Sequence, residues 1–155
     1  MMASMKLQTQ VNLKDLLRGI IDVPAEMDRQ IGKPCLDSRK LESGDVFLAC
    51  AGHTVHGFEF IDKALEKEIS AVIWESDPDI DTLAFSWRQT PQGTQVPLIA
   101  IPHLSRQVGV IADRYYEHPS RKMFVTGITG TNGKTSCSQF LAQVLSEHKP
   151  VGIIG

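Results

Sequence analysis

The sequence predicts an α/β fold, a small N-terminal α/β domain followed by the first β-loop-α-β unit of a second, truncated domain. Three observations predict it. Short continuous apolar runs at 46–50, 71–74 and 97–101 alternate with segments of helical periodicity. A glycine-rich turn then separates a further apolar run, 123–128, from a further amphipathic segment. The last apolar run begins at Val151, and the sequence stops inside it.

The chain has 155 residues, about one domain and a fraction. At 42% apolar and 22% charged residues it can bury a real core, which excludes collagen, coiled coil and disordered tail. A net charge of −2 leaves no electrostatic footprint for nucleic acid or an anionic membrane, so neither is expected as a partner. No run approaches the ~18 apolar residues of a membrane span, and residues 1–6 lack the apolar stretch of a secretory signal. Cys35, Cys50 and Cys137 are widely separated and form no Cys-x-x-Cys pair. They read as reduced, mostly buried thiols, and the chain as soluble and cytoplasmic.

Taken in order, residues 1–10 are polar and unpatterned. Residues 12–19 read as a short helix capped by Asn12 and stopped at Gly19. An extended segment ends near Leu36, and a polar turn at 41–45 leads into the strand at 46–50. The stretch 52–57 is a loop. Phe58, Ile61, Ala64, Leu65 and Ile69 then fall at helical spacing up to the strand at 71–74, which makes a parallel pair with a right-handed crossover. Between 76 and 97 the pattern dissolves around Pro78, Pro91 and Pro97, and a long surface loop with room for a short hairpin is expected. A strand at 97–101 precedes the best-patterned helix, with Leu104, Val108, Ile111, Ala112 and Tyr115 on one face, ended by His118 and Pro119. The domains are therefore 1–118 and 119–155, with 119–122 as linker. In the second, a strand at 123–128, a helix from Lys134 bearing Phe140, Leu141, Val144 and Leu145, and a strand from Val151 make one β-α-β unit. One such unit cannot cover both faces of a parallel sheet, so the chain reads as the front piece of a longer protein. Trp74, Trp87, Tyr115, Tyr116, His103 and His118 read as structural.

Between strand and helix lies Gly130-Thr131-Asn132-Gly133-Lys134-Thr135-Ser136. Glycines let the backbone curl so that N–H groups converge on an anion, and the helix adds its positive end. Lys134 then reaches the β- and γ-phosphates, and the Thr135 hydroxyl can ligate Mg²⁺. The generic Gly-x-x-x-x-Gly-Lys-[Ser/Thr] pattern is met only in variant form, since position 128 is Ile128. A plain glycine turn is the bland alternative.

Upstream, Asp37-Ser38-Arg39 offers an acceptor, a hydroxyl and a fixed cation in three residues. A hydroxyl and backbone amides suit uracil or ribose, and Arg39 suits a carboxylate or phosphate. The competing reading is an Asx-type turn with an Arg39–Asp45 surface pair. His53 and His56 stand three apart without a third ligand at metal spacing, so a helix-entry loop is the simpler account of 52–57.

Gly127-Ile128-Thr129-Gly130-Thr131-Asn132-Gly133-Lys134-Thr135 resembles the ATP loop of the Mur ligase family and its relatives, the folylpolyglutamate and cyanophycin synthetases. Leu36-Asp37-Ser38-Arg39, Ser43 to Ala49, Gly52-His53 and Gly57 to Ile61 resemble, in order and spacing, the uridine-nucleotide-binding domain of the MurE branch. The MurF branch, which adds D-Ala-D-Ala, shares this layout but more often has Asp-Thr-Arg, so Ser38 favours MurE. The resemblance runs from about residue 12 to the end. It implies an ATP- and Mg²⁺-dependent ligase of peptidoglycan synthesis adding a diamino acid, meso-diaminopimelate or L-lysine, to UDP-N-acetylmuramoyl-L-Ala-D-Glu through an acyl phosphate. In that family the second domain is a P-loop ATPase domain. The positions matching Leu36, Ser38, His53, Thr54 and Val55 contact the nucleotide-sugar, and those matching Asp37 and Arg39 support the loop. Lys134 is the catalytic cation, with Gly130 to Ser136 around the nucleotide and Thr135 on the metal. Where the family has Asp before Gly57, this chain has His56, a poorer helix cap. The diamino acid would be held by domains beyond residue 155, so this chain alone is expected to be catalytically inactive. A MurF-type ligase and a non-catalytic nucleotide-binding module are the alternatives.

Overall fold

The computed structural model of the chain describes residues 11–52, 56–79 and 82–154. It divides into two compact units, Met1–Pro119 and Ser120–Gly155.

In the first unit, β1 (Val11–Asn12) leads directly into α1 (Leu13–Leu16) and pairs antiparallel with β2 (Gln30–Ile31). Five further strands form one sheet: β3 (Pro34–Cys35), β4 (Val46–Ala49), β5 (Ala71–Ser76), β6 (Phe85–Gln89) and β7 (Gln95–Pro102). Their order is β3-β4-β5-β7-β6, with β3, β4, β5 and β7 parallel and β6 antiparallel on the edge. Helix α2 (Ile61–Leu65) joins β4 to β5, and α3 (Leu104–Tyr115) follows β7.

The sheet is buried on both faces, which is why its strands are continuous apolar runs. Val46, Leu48, Ala71, Ile73, Ile99 and Ile101 pack with Leu13, Leu16, Leu104 and Ile111 of α1 and α3. The alternate residues Phe47, Ala49, Val72, Val96 and Leu98 pack with Ile61, Ala64 and Leu65 of α2. The period-two alternation thus divides one sheet between two helical layers.

Several local expectations are corrected. The first helix is short, and Asn12 occupies its cap position without a capping side-chain bond. Pairing of β1 with β2 brings Asp28 to the helix start, where its Oδ1 accepts the Lys14 N–H at 3.0 Å and does that work instead. The segment from Gly57 begins as a 3-10 turn, Gly57–Phe60, before α2. Ile61, Ala64, Leu65 and Ile69 are buried as their spacing predicts. Phe58 lies outside that core and packs edge-on against Trp74, with centroids 4.8 Å apart. The segment expected at 76–97 as a surface loop with room for a short hairpin does hold a hairpin, but a longer one, with all of β6 and the start of β7 joined by a tight turn at Gly93 (φ +89°). Trp87 is therefore a strand residue, with the Arg29 guanidinium over its ring. The thiols of Cys35 and Cys50 are half-buried and Cys137 is exposed, rather than mostly buried.

A 3-10 turn, Pro119–Lys122, runs across the chain boundary of the two units, and the second contains α4 (Lys134–Ser146). The runs 123–128 and 151–154, expected as strands, carry no ladder. A strand exists by pairing, and among the described residues neither run meets a partner. Phe124, Val125 and Ile154 are largely exposed. Among all described residues, no helix is long and apolar enough to cross a membrane.

Candidate functional site

The carboxyl ends of β3 and β4 open into a cleft of about 490 Å³. Ligands of parallel sheets characteristically bind outside the carboxyl ends of the strands. One side is Leu36, Asp37, Ser38 and Arg39, which follow β3 directly. The floor is Phe47, Leu48 and Cys50 of β4 and its exit, and the opposite side is Gly57, Phe60 and Lys63.

Asp37 shapes the first side. Its Oδ1 accepts the Arg39 backbone N–H at 3.1 Å, the side-chain acceptor of an Asx turn, and starts the 3-10 turn Ser38–Lys40. The same carboxylate takes Arg39 in a fork, Nε to Oδ1 and Nη2 to Oδ2, both at 2.9 Å. The Arg39–Asp45 pair anticipated from sequence is not formed. Asp45 is buried instead, accepts the Glu42 N–H at 2.9 Å and lies 3.7 Å from Lys33. The Asp37 clamp leaves Ser38 buried at the rim, while Leu36 is exposed.

These bonds to Arg39 hold the Asp37 carboxyl down to a pKa of about 2. A carboxylate lowered from its unfolded value near ~3.9 adds stability above that value, and the contribution is lost as pH falls through the folded value. The clamp is therefore expected to stay closed on acidification well past the point where ordinary carboxyls protonate. Carboxyl-carbon NMR would follow it, and an Asp37 midpoint at the unfolded value would mean an open clamp in solution.

The second side rests on close backbone approach. Gly57 donates its N–H to the Cys50 carbonyl at 2.9 Å, and Ala51 and His56 form an antiparallel bridge. His56, read as a poor cap, does cap: its Nδ1 accepts the Phe58 N–H at 3.1 Å. His53, Thr54 and Val55 lie outside the described residues. Cys50, Phe60 and Lys63 were not anticipated as site residues. Phe60 and Lys63 are three apart across the junction of the 3-10 turn and α2, a spacing that could have flagged them. With Arg39, Lys63 brings a second cation to the cleft.

A second cleft of about 410 Å³ is lined by Val11, Asp15, Arg18, Arg114 and His118. Its polar side chains are committed: Arg18 to Asp15, Arg114 to the Leu16 carbonyl and His118 Nδ1 to Asp113. The cleft at β3 and β4 is the stronger candidate because it holds together a hydroxyl, an aromatic ring and a lysine that has no ion pair among the described residues.

In the second unit, Gly130 (φ +151°) and Gly133 (φ +76°) adopt backbone conformations that favour glycine, and α4 starts at the next residue, Lys134. Gly133 brings no capping side chain, so first-turn N–H groups are free to meet an anion. The Lys134 Nζ donates to the Gly130 carbonyl at 2.7 Å across the loop. Residues 130–136 are exposed. The donor set suits a polyphosphate, with the Thr135 hydroxyl beside it for a divalent cation. Among the described residues, no three His, Cys, Asp or Glu side chains converge as a metal site.

The chain is 40% identical to the UDP-N-acetylmuramoyl-L-alanyl-D-glutamate–2,6-diaminopimelate ligase of Alkalilimnicola ehrlichii, over 94% of this chain and 29% of that protein. It is 44% identical to the protein of the same name from Coxiella burnetii, over 77% of this chain and 23% of that one. The chain thus spans less than a third of the length of these relatives. The fold is similar to a crystal structure of MurF from Acinetobacter baumannii, with a TM-score of 0.58 at 20% identity, over 91% of this chain and 29% of that one. The family described as "Mur ligase family, catalytic domain" matches residues 35–116, more than half of the chain and the stretch that builds the cleft. The chain belongs to the Mur ligase family.

Proposed function

We propose that the chain is the nucleotide-sugar-binding part, with the first piece of the ATP-binding part, of an ATP-dependent ligase of peptidoglycan synthesis. The whole protein adds a diamino acid to UDP-N-acetylmuramoyl-L-Ala-D-Glu in the cytoplasm. Residues 1–118 hold the uridine nucleotide and residues 119–155 begin the ATP-binding domain. The observation that carries this reading is the cleft itself: Leu36 and Ser38 share it with Phe60, Arg39 and Lys63, in a chain 40–44% identical to ligases of that name.

Each group has a role. Leu36 and Phe60 give apolar surface to a base, and the Ser38 hydroxyl and nearby backbone give it polar partners. Lys63 places positive charge where a diphosphate can use it, while Arg39, forked onto Asp37, supports the loop. His53, Thr54 and Val55 complete the sugar side. In the second unit, Gly130 to Ser136 cradle ATP, Lys134 faces its β- and γ-phosphates and Thr135 holds Mg²⁺. ATP supplies the phosphoryl group that makes the D-glutamyl carboxylate an electrophile for the incoming amine. Binding the nucleotide far from the reacting carboxylate lets remote binding energy position it.

Calorimetric titration of the chain with UDP-N-acetylmuramoyl-L-Ala-D-Glu, with ATP–Mg²⁺ in parallel, tests the reading. Saturable binding of the nucleotide-sugar is expected. Ser38→Ala, which removes one hydrogen-bonding group, should weaken it by about 3–10-fold, the size of one neutral hydrogen bond. Binding of ATP alone would favour a simple nucleotide-binding module. In the full-length protein, turnover with D-Ala-D-Ala instead of a diamino acid would favour the MurF branch.

A further inference from the structure

Strand β5 reads Ala-Val-Ile-Trp-Glu-Ser, and its glutamate is buried, 8% exposed. Both carboxylate oxygens of Glu75 are used. Oε2 accepts the Ala51 N–H at 2.8 Å, and Oε1 accepts the Ser105 hydroxyl at 2.9 Å. No lysine or arginine pairs with it among the described residues. Burying an unpaired carboxylate is costly, and an apolar residue would end the strand more cheaply. What the carboxylate adds is a fixed location for the groups it holds.

Those groups belong to the cleft wall. Ala51 follows Cys50, which lines the cleft, and is bridged to His56, whose neighbour Gly57 lines it too. Gly57 is bonded back to Cys50 at 2.9 Å. The wall has no slack, because a Cβ at Gly57 would lie 2.7 Å from the Ala49 backbone. Glu75 itself does not line the cleft. We infer that Glu75 is a positioning residue for nucleotide-sugar binding, setting the wall formed by Cys50 and Gly57 through its bond to Ala51. The inference rests on the reading of the cleft given above. Glu75 also adds its charge to burial in raising the Cys50 thiol to about 11, which keeps that wall residue neutral.

The test compares the chain with Glu75→Leu, Glu75→Gln and Ser105→Ala by calorimetric titration with UDP-N-acetylmuramoyl-L-Ala-D-Glu, alongside thermal unfolding. Glu75→Leu is expected to weaken binding about tenfold or more, the loss of a charge-assisted bond. Glu75→Gln keeps an oxygen for Ala51 and should return affinity to within about threefold. Ser105→Ala cuts the other bond of the same carboxylate, so it should lower the unfolding temperature while leaving affinity within about twofold. Equal binding by Glu75→Leu and the unsubstituted chain would overturn the inference alone. So would a loss in Ser105→Ala as large as that in Glu75→Leu, since the effect would then be general stability. Failure of the unsubstituted chain to bind would overturn the nucleotide-sugar reading and this inference with it. Hydrogen exchange needs no variant: the Ala51 amide should be protected, and exchange at the free-chain rate would overturn the bond on which the inference depends.

Discussion

Gly57→Ala is expected to destabilise the first unit by about 2–3 kcal/mol and to weaken nucleotide-sugar binding at least about tenfold. The cause is overlap alone, since Gly57 has no left-handed backbone to strain. Its added methyl would meet the Ala49 Cα and carbonyl carbon at 2.7 Å and the Cys50 oxygen at 2.8 Å, all of them backbone. No rotamer change relieves such a contact. Either the end of β4 or the 3-10 turn must retreat, and both belong to the cleft. Gly109→Ala on α3 is the matching control, with open space around its Cβ position. That change should be neutral or stabilising by up to about 1 kcal/mol. Urea unfolding of the two variants, with the same titration, measures both effects. A Gly57→Ala chain as stable and as tightly binding as the original would mean the wall yields, and the rigid account of the cleft would fall.

Lys134→Met is expected to lower ATP–Mg²⁺ affinity about 100-fold, as the loss of a charge-assisted contact to phosphate implies. Methionine keeps the length and helix propensity of lysine, so α4 should persist by circular dichroism. The lysine now sits on the Gly130 carbonyl at 2.7 Å, spanning the loop that the polyphosphate would fill. The same ammonium thus spans the loop, and under the proposed reading it would exchange that carbonyl for a phosphate oxygen. Arginine is a poor substitute, because its planar fork cannot act as a compact point charge in so tight a turn. Nucleotide-sugar binding should not change, since Leu36, Ser38 and Phe60 all lie in the first unit. Fluorescent-nucleotide titration reads the loss, and undiminished ATP affinity would remove the loop from the ATP site.

The parallel strands β4, β5 and β7 were legible because each is covered on both faces, so burial shows as an unbroken apolar run. Helix α3 was legible because Leu104, Ile111 and Tyr115 repeat at its period and all three are buried. Edge strand β6 was legible only as room for a short hairpin inside a loop. Its residues Phe-Ser-Trp-Arg-Gln need cover on one side only, and Trp87 receives it from Arg29, far away in sequence. The capping of α1 was misread for a related reason, since Asp28 reaches the helix only once β1 and β2 have paired. The runs 123–128 and 151–154 have strand composition, but pairing depends on what lies beside them. In the cleft, Leu36 and Ser38 were readable as one contiguous motif. Cys50, Phe60 and Lys63 become neighbours of that motif only in the folded sheet, and Glu75 shows in the sequence merely as a charge interrupting an apolar strand.

The antiparallel edge also bears on how the sheet comes to have a single strand order. Gln89 and Gln95 face each other across one tight turn, whereas Val46 reaches Ala71 only after an intervening loop and helix. Closing the short loop sacrifices far less chain entropy, so the β6–β7 hairpin is the part of the sheet easiest to form early. A solitary β7 would offer two equivalent rims to an arriving strand. With β6 already seated on one of them, β5 has a single place to dock, and β4 and β3 can only follow outward from it. A hairpin formed first would thereby act as an assembly jig, fixing the order of the strands before the residues of the cleft are brought together.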